Sequence, residues 1–136
     1  MWTVCKEFRF EAAHKLSEAF TQECVNCIHG HSYKVEVYVA GSLNAYGVVM
    51  DFGLIKAAVK CIIDEWDHAL ILHEDVDLLF PRELEQDNAK VVWLPCNPTA
   101  ENMAAIIYDR VKKRIPTLKK IRVWETVGAW AEYEEA

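Results

Sequence analysis

The chain has 136 residues, of which 52% are hydrophobic and 26% charged, and its formal net charge is −6. This length predicts one domain, residues 1–136, with a modest core. Long basic runs and apolar runs of roughly 20 residues are absent, so we expect neither nucleic-acid binding nor membrane insertion. The N-terminus lacks a signal peptide's apolar segment, and the cysteine count is odd, at five. Together these features predict a cytoplasmic protein without a disulfide framework.

Two segments near the N-terminus alternate between apolar and polar residues. The first covers residues 4–14 and the second about 29–40. A period of two is typical of a β-strand with one apolar face, so both segments are predicted strands. The loop between them, residues 17–28, carries Cys24 and Cys27.

A helix is predicted next, because an apolar stripe of helical spacing runs through residues 52–66. Asp51 stands before the stripe, where its carboxylate can cap the helix. Residues 73–95 are interpreted as a long connection, within which residues 91–94 are compatible with a short strand.

A second helix and two more strands complete the chain. Asn97 is expected to cap this helix, with Pro98 in its first position, and Pro116 to end it. Residues 121–127 alternate as a third strand, and residues 130–133 can return as a fourth.

The order strand, strand, helix, helix, strand, strand indicates an α+β fold with an antiparallel four-stranded sheet. A single copy of such a sheet would leave strand edges open. We therefore expect oligomer contacts through those edges.

Three histidines form the strongest candidate site. His29 and His31 are two residues apart on a predicted strand, so both side chains point to the same face. His14 ends the preceding strand pattern on its apolar face. Three neutral imidazoles can bind zinc and leave a fourth position for water or substrate, which is typical of a catalytic zinc ion.

A rival interpretation joins Cys24, Cys27, His29 and His31 in a structural Cys2His2 zinc site. The Cys-x-x-Cys spacing favours it. Zinc-finger histidines, however, usually stand three to five residues apart, so this hypothesis ranks second.

Acidic residues add further candidates. Asp67 and His68 can form a carboxylate–imidazole pair suited to acid/base work, or can simply end a helix. Glu125 stands at an apolar position of the third strand, where a carboxylate is costly unless paired. It can accept hydrogen bonds from the adjacent N–H groups of an amino-pyrimidinone, or be an ordinary exposed residue. Thr99 and Glu101 lie in the first turn of the second helix, where supporting the helix end is the simpler interpretation.

Six ordered segments of this chain together resemble the 6-pyruvoyl-tetrahydropterin synthase / 6-carboxy-tetrahydropterin synthase family. They span nearly the whole chain, and the set is far more specific than His-Gly-His alone. The segments are Phe10–His14, His29–Tyr33, Gly47–Phe52, Asp67–His68, Asn97–Asn102 and Glu125–Thr126.

The resemblance implies a tunnelling fold, in which sheets of several subunits join into a barrel, commonly as a hexamer of two trimers. It also implies active sites at subunit interfaces, which would resolve the open strand edges. The implied substrate is 7,8-dihydroneopterin triphosphate, and the implied cofactor is zinc.

The same resemblance implies roles for single residues. His14, His29 and His31 would hold zinc, and a cysteine before His29 would transfer protons. Asp67 and His68 would complete the acid/base set, from a neighbouring subunit. The remaining implied contacts are Glu125, Thr99 and Glu101 for the pterin ring and Lys15 for the phosphates.

Two questions stay open: which cysteine transfers protons, and which product the reaction gives. Four residues separate Cys24 from His29 and one separates Cys27 from it, whereas Val25 occupies the usual cysteine position of the carboxy-type enzymes. We favour Cys24, because a loop absorbs one extra residue more easily than Cys27 reaches around His29.

The implied reaction gives 6-carboxy-5,6,7,8-tetrahydropterin, as a lyase of 7-deazaguanine (queuosine) biosynthesis. The alternative enzyme eliminates triphosphate to give 6-pyruvoyl-tetrahydropterin. An alternative of another class is a non-catalytic oligomer that binds zinc or pterin.

Overall fold

One sheet and two helices make up most of the residues that the computed structural model describes, which are 1–16, 27–74, 83 and 85–136. The strands of this part are β1 (Trp2–His14), β2 (His29–Gly41), β3 (Ala69–His73), β4 (Val91–Leu94), β5 (Leu118–Thr126) and β6 (Ala129–Tyr133). The helices are α1 (Phe52–Trp66) and α2 (Ala100–Lys112). The strand order across the sheet is β4-β3-β1-β2-β5-β6.

The four predicted strands form the antiparallel part of the sheet. β1 pairs with β2, β2 with β5, and β5 with β6, all antiparallel. Alternation in β1 and β2 has the expected cause, because one face of each strand is buried against the helices and the other is polar.

The sheet is larger than predicted, since β3 and β4 extend it beyond β1 with parallel pairings. The short strand predicted at residues 91–94 is confirmed, and it is β4. β3 begins three residues after α1 ends and is buried at Ala69, Ile71 and Leu72, so its sequence shows no clean alternation. The prediction of a purely antiparallel sheet of four strands was therefore wrong in extent.

Both helices cover the same face of the sheet, where the core lies. The cap predicted for α1 is confirmed, because the Asp51 carboxylate accepts a hydrogen bond from the Gly53 N–H at 2.7 Å. The core side chains of α1 follow its apolar stripe and are Ile55, Val59, Ile62, Ile63 and Trp66. No helix in the described part of the chain has the length and apolar character needed to cross a membrane.

The cap predicted for α2 was wrong. Thr99, not Asn97, is the N-cap: its backbone is extended and its hydroxyl accepts from the Asn102 N–H at 3.2 Å. The Asn97 carbonyl instead accepts from the Asn102 side-chain amide at 2.9 Å. Pro98 thus lies before the helix, with its carbonyl directed toward β1, as described below.

Candidate functional site

The β1–β2 pairing brings the three histidines together. His14 lies directly opposite His29 in the register, and His31 lies opposite Ala12. All three rings are in edge contact, with centroids 4.5 to 5.0 Å apart. His14 is completely buried, and the side chain of His31 is only 16% exposed. The predicted cluster therefore forms at the end of the sheet where β1 finishes and β2 begins.

Two of the rings are held by main-chain carbonyls. His14 Nδ1 lies 2.8 Å from the Pro98 carbonyl, and His29 Nδ1 lies 3.1 Å from the Cys27 carbonyl. Because a carbonyl only accepts, each Nδ1 carries the hydrogen, and each Nε2 of a neutral ring is a bare lone pair. These two Nε2 atoms are 2.9 Å apart, an arrangement that calls for a cation between them.

His31 and Glu125 complete the cluster. Glu125 Oε1 lies 2.9 Å from His31 Nε2 and 3.9 Å from His14 Nε2. Despite this closeness, His31 Nε2 is buried and has no hydrogen-bond partner among the described residues. A buried nitrogen with no hydrogen bond is costly unless it binds something else.

The spacing of these atoms suits a single metal ion. One ligand atom from each of His14, His29, His31 and Glu125 lies within 4.8 Å of the others. Ligands at about 2.1 Å around a tetrahedral ion stand about 3.4 Å apart, between the shortest and longest separations here. The donor set of three imidazoles, two of them held through Nδ1, is that of a transition-metal site.

A β-bulge aims Glu125 at the histidines. Trp124 pairs with Trp130 and Thr126 with Ala129, so Glu125 is an extra residue of β5 without a partner in β6. Bulges re-aim side chains and are frequent beside active sites. The bulge also ends the alternation that predicted a strand through residue 127: β5 stops at Thr126, and Val127 is fully exposed.

The electrostatics favour neutral ligand rings. Burial lowers the pKa of His14 to about 4, with smaller contributions from His29 and His31 and an opposing one from the Pro98 carbonyl. Burial likewise lowers the pKa of His31, although the Glu125 carboxylate acts in the other direction. Near neutral pH both rings are thus unprotonated, as metal ligation requires.

This burial predicts acid sensitivity of the metal-free protein. The pKa of His14 falls from 6.5 unfolded to about 4 folded, so between these values only the unfolded chain takes up the proton. The free energy of unfolding should therefore drop by about 3 kcal/mol as pH falls from 6.5 to 4. Urea unfolding of EDTA-treated protein across this range measures the drop. His14→Gln should show a smaller drop, and parallel curves for the two proteins would contradict the assignment.

Glu125 also lines a cavity with two other predicted residues. Thr99 and Glu101, at the start of α2, lie around the same space of about 190 Å³. Leu16 and Trp130 contribute to its lining as well. The structure thus brings all three candidate ring contacts to one cavity beside the histidines.

The Asp67–His68 pair forms at the end of α1. Asp67 Oδ1 lies 3.0 Å from His68 Nδ1 and accepts the Glu11 N–H at 2.9 Å. The Glu11 N–H is the largest cause that keeps the pKa of Asp67 below its usual range, and His68 adds to it. The His68 side chain is 79% exposed and lines an open cavity of about 610 Å³ that His31 also borders. The pair lies outside the group of four potential ligands.

Lys90 supports this pair and was missed from the sequence. Its ammonium donates to the carbonyls of Asp64 at 2.6 Å, in the last turn of α1, and of Asp67 at 2.7 Å, the C-cap of that helix. A lysine in the connection after β3 gives no sequence signal of such a contact. Tyr33 was missed too: its hydroxyl lies 3.2 Å from His14 Nδ1, and its ring stacks on Phe10.

Lys90→Met should lower the free energy of unfolding by about 1 kcal/mol, because a cation on the last carbonyls of a helix is lost. Urea unfolding at pH 7 measures this change. Lys119→Met, which removes an exposed charge from β5, is the matched control. Equal stabilities for the two variants would contradict the role given to Lys90.

The remaining site predictions divide between described and undescribed residues. Cys24 and Val25 lie outside the described residues. Cys27 is exposed, and no group of potential metal ligands in the described part of the chain includes its thiol. In that part, His29 and His31 meet His14 and Glu125, and the Cys2His2 alternative, which needs Cys24, stays a prediction. Lys15 follows His14 directly and is half-buried.

Known proteins resemble this chain over almost its full length. The family model described as 6-pyruvoyl tetrahydropterin synthase matches residues 3–136. The 6-carboxy-5,6,7,8-tetrahydropterin synthase of Aquifex aeolicus is 35% identical, covering 98% of each chain. The enzyme of that name from Haemophilus influenzae is also 35% identical, covering 99% of this chain and 100% of its own.

Solved structures show the same fold. The 6-pyruvoyl tetrahydropterin synthase of Caenorhabditis elegans superimposes with a TM-score of 0.73 at 24% identity, covering 99% of this chain and 96% of its own. An uncharacterized protein of Wolinella succinogenes superimposes with a TM-score of 0.82 at 21% identity, covering 99% and 98%. The predicted α+β tunnelling fold is confirmed by this likeness.

Proposed function

The chain belongs to the 6-pyruvoyl tetrahydropterin synthase family, and on that premise we propose that it is a zinc-dependent lyase converting 7,8-dihydroneopterin triphosphate to 6-carboxy-5,6,7,8-tetrahydropterin. The observation that carries this proposal is the cluster of bare imidazole nitrogens beside a cavity that Glu125 lines. The names of the relatives favour the carboxy product over the pyruvoyl one. The reaction would supply 7-deazaguanine (queuosine) biosynthesis.

His14, His29 and His31 would hold the zinc through Nε2. The Pro98 and Cys27 carbonyls fix two of these rings in the required tautomer. A zinc ion held by these three residues would supply Lewis-acid chemistry at the oxygens of the substrate's side chain.

Glu125 would recognise the pterin ring, with Thr99 and Glu101 beside it. Two oxygens of one carboxylate match the adjacent N–H donors on the amino-pyrimidinone edge of the ring. Anchoring the ring there directs its three-carbon side chain toward the histidines. Lys15, next to His14, would meet the phosphates.

A cysteine and His68 would transfer the protons. Asp67 holds the Nδ1–H of His68, which leaves His68 Nε2 free to exchange protons with the substrate. We assign the cysteine to Cys24. As the family resemblance implies, the pair would act on the site of a neighbouring copy.

The proposed assembly is a hexamer of two trimers in the cytoplasm, with residues 1–136 as one domain of each subunit. Exposed apolar side chains around a groove of about 420 Å³ support self-association, among them Trp2, Leu43, Val48 and Phe52. The outer strands β4 and β6 offer edges for pairing.

Product analysis tests the proposed reaction. Purified protein incubated with 7,8-dihydroneopterin triphosphate should consume one water, release acetaldehyde and triphosphate, and leave a carboxyl group on the reduced ring, which accounts for the three side-chain carbons. Mass spectrometry identifies the carboxylated ring and acetaldehyde. A retained three-carbon side chain would indicate the pyruvoyl-type enzyme instead, and binding without turnover would indicate a non-catalytic pterin-binding oligomer.

A further inference from the structure

The carboxylate of Glu125 lies next to the histidine ligands and also lines the cavity proposed for the pterin ring. Glu125 contacts His31 and also lines the cavity with Thr99 and Glu101. We propose that Glu125 is the fourth ligand of the metal in the substrate-free protein, and that it leaves the metal when the pterin ring binds. This proposal rests on the proposed metal site and adds an exchange between two partners of one side chain.

The contacts of Glu125 have the pattern of a ligand bound through one oxygen. The same atom, Oε1, faces both His31 Nε2 at 2.9 Å and His14 Nε2 at 3.9 Å. Among the residues that the structure describes, His31 Nε2 has no hydrogen-bond partner, so the carboxylate does not accept a hydrogen bond from that ring. An ion shared by these three atoms accounts for their closeness.

The charges favour the same assignment. Three neutral imidazoles leave a divalent ion with its full charge of +2 next to a completely buried ring, His14. A buried charge is costly unless it is paired, and one carboxylate halves the net charge. The side chain of Glu125 is 29% exposed, so its other oxygen remains within reach of a ligand in the cavity.

The exchange would link ring recognition to catalysis. A pterin that draws the Glu125 carboxylate to its N–H groups vacates one position beside His14, His29 and His31. That position then becomes available to the side chain of the same pterin. Without the ring, the carboxylate keeps the position closed to water and to unrelated ligands.

Cobalt spectroscopy tests the proposal without turnover. Metal-free protein is loaded with Co²⁺, whose visible absorption responds to the number and charge of its ligands. Neopterin is added until its own fluorescence change saturates. The cobalt spectrum of the wild-type protein should change when neopterin binds. The spectrum of Glu125→Gln should differ from that of the wild type before neopterin is added and should change little when it is added. This variant should also bind Co²⁺ at least roughly tenfold more weakly.

Asp109→Asn is the matched control, because it removes an exposed carboxylate of α2 that lies outside both the cavity and the ligand group. Its cobalt spectrum should equal that of the wild type. Identical spectra for Glu125→Gln and wild type overturn the proposed ligation, and a wild-type spectrum unmoved by neopterin overturns the exchange. If the proposed metal site itself does not exist, the result is a different one: the wild-type protein binds no Co²⁺.

A crystal structure of the zinc-loaded wild type without pterin gives a test that needs no variant. Ligation predicts a Glu125 oxygen at about 2.0–2.2 Å from the zinc. A Glu125 carboxylate with both oxygens farther from the zinc than this ligand distance would overturn the proposal.

Discussion

Replacing His31 by alanine is expected to remove the metal and to lower kcat about a thousandfold or more. Lewis-acid polarisation contributes several kcal/mol to such reactions, and each 1.4 kcal/mol corresponds to a factor of ten. Within the described part of the chain, the buried His31 Nε2 has no hydrogen bond, so the substitution breaks none there while it deletes one ligand. Elemental analysis of the purified variant, together with its turnover of 7,8-dihydroneopterin triphosphate, measures both effects.

His73→Ala is the control for the loss of a histidine, because His73 lies on β3 outside the ligand group. It should keep one metal ion per chain and wild-type turnover. Undiminished zinc in His31→Ala would refute the three-histidine site. Loss of metal in Cys24→Ala and Cys27→Ala, with metal kept in His14→Ala, would instead support the Cys2His2 alternative.

Replacing His68 by asparagine is expected to lower kcat by about 10²- to 10⁴-fold, the usual range for removal of a general acid or base. Asparagine is the suitable replacement, because His68 has φ +59° and asparagine tolerates the left-handed region. The metal content should be unchanged, since His68 lies outside the ligand group. Steady-state kinetics with parallel metal analysis separates this effect from that of His31→Ala.

Asp67→Asn should give a smaller loss than His68→Asn. The amide oxygen of asparagine can still accept the Glu11 N–H, so the turn is retained while the charge that supports the His68 ring is lost. Wild-type kcat in His68→Asn would exclude His68 from proton transfer. A loss of metal in either variant would show that the pair supports the ligand cluster instead.

The histidine cluster could be predicted because strand alternation is a local rule. His29 and His31 share a face of β2 for the same reason that Tyr33 and Val35 do, and His14 follows the same rule in β1. The antiparallel pairing of these two consecutive strands then places His14 opposite His29. These features depend on residues close in sequence, which a single sequence displays directly.

The features that escaped prediction depend on tertiary contacts. β3 is only five residues long and follows α1 at once, so its pairing with β1 leaves no periodic signal. Both Asn97 and Thr99 are good caps, and the choice of Thr99 is settled by backbone angles that the sequence does not display. The bulge at Glu125 depends on the register between β5 and β6.

Metal reconstitution with product detection tests the central claim most directly. Metal-free protein is titrated with Zn²⁺ in the presence of 7,8-dihydroneopterin triphosphate, and acetaldehyde release is followed. The proposed site predicts a rate that rises from near zero and reaches its plateau at one zinc per chain. Full acetaldehyde release by the metal-free protein, or none with one zinc bound per chain, would contradict it.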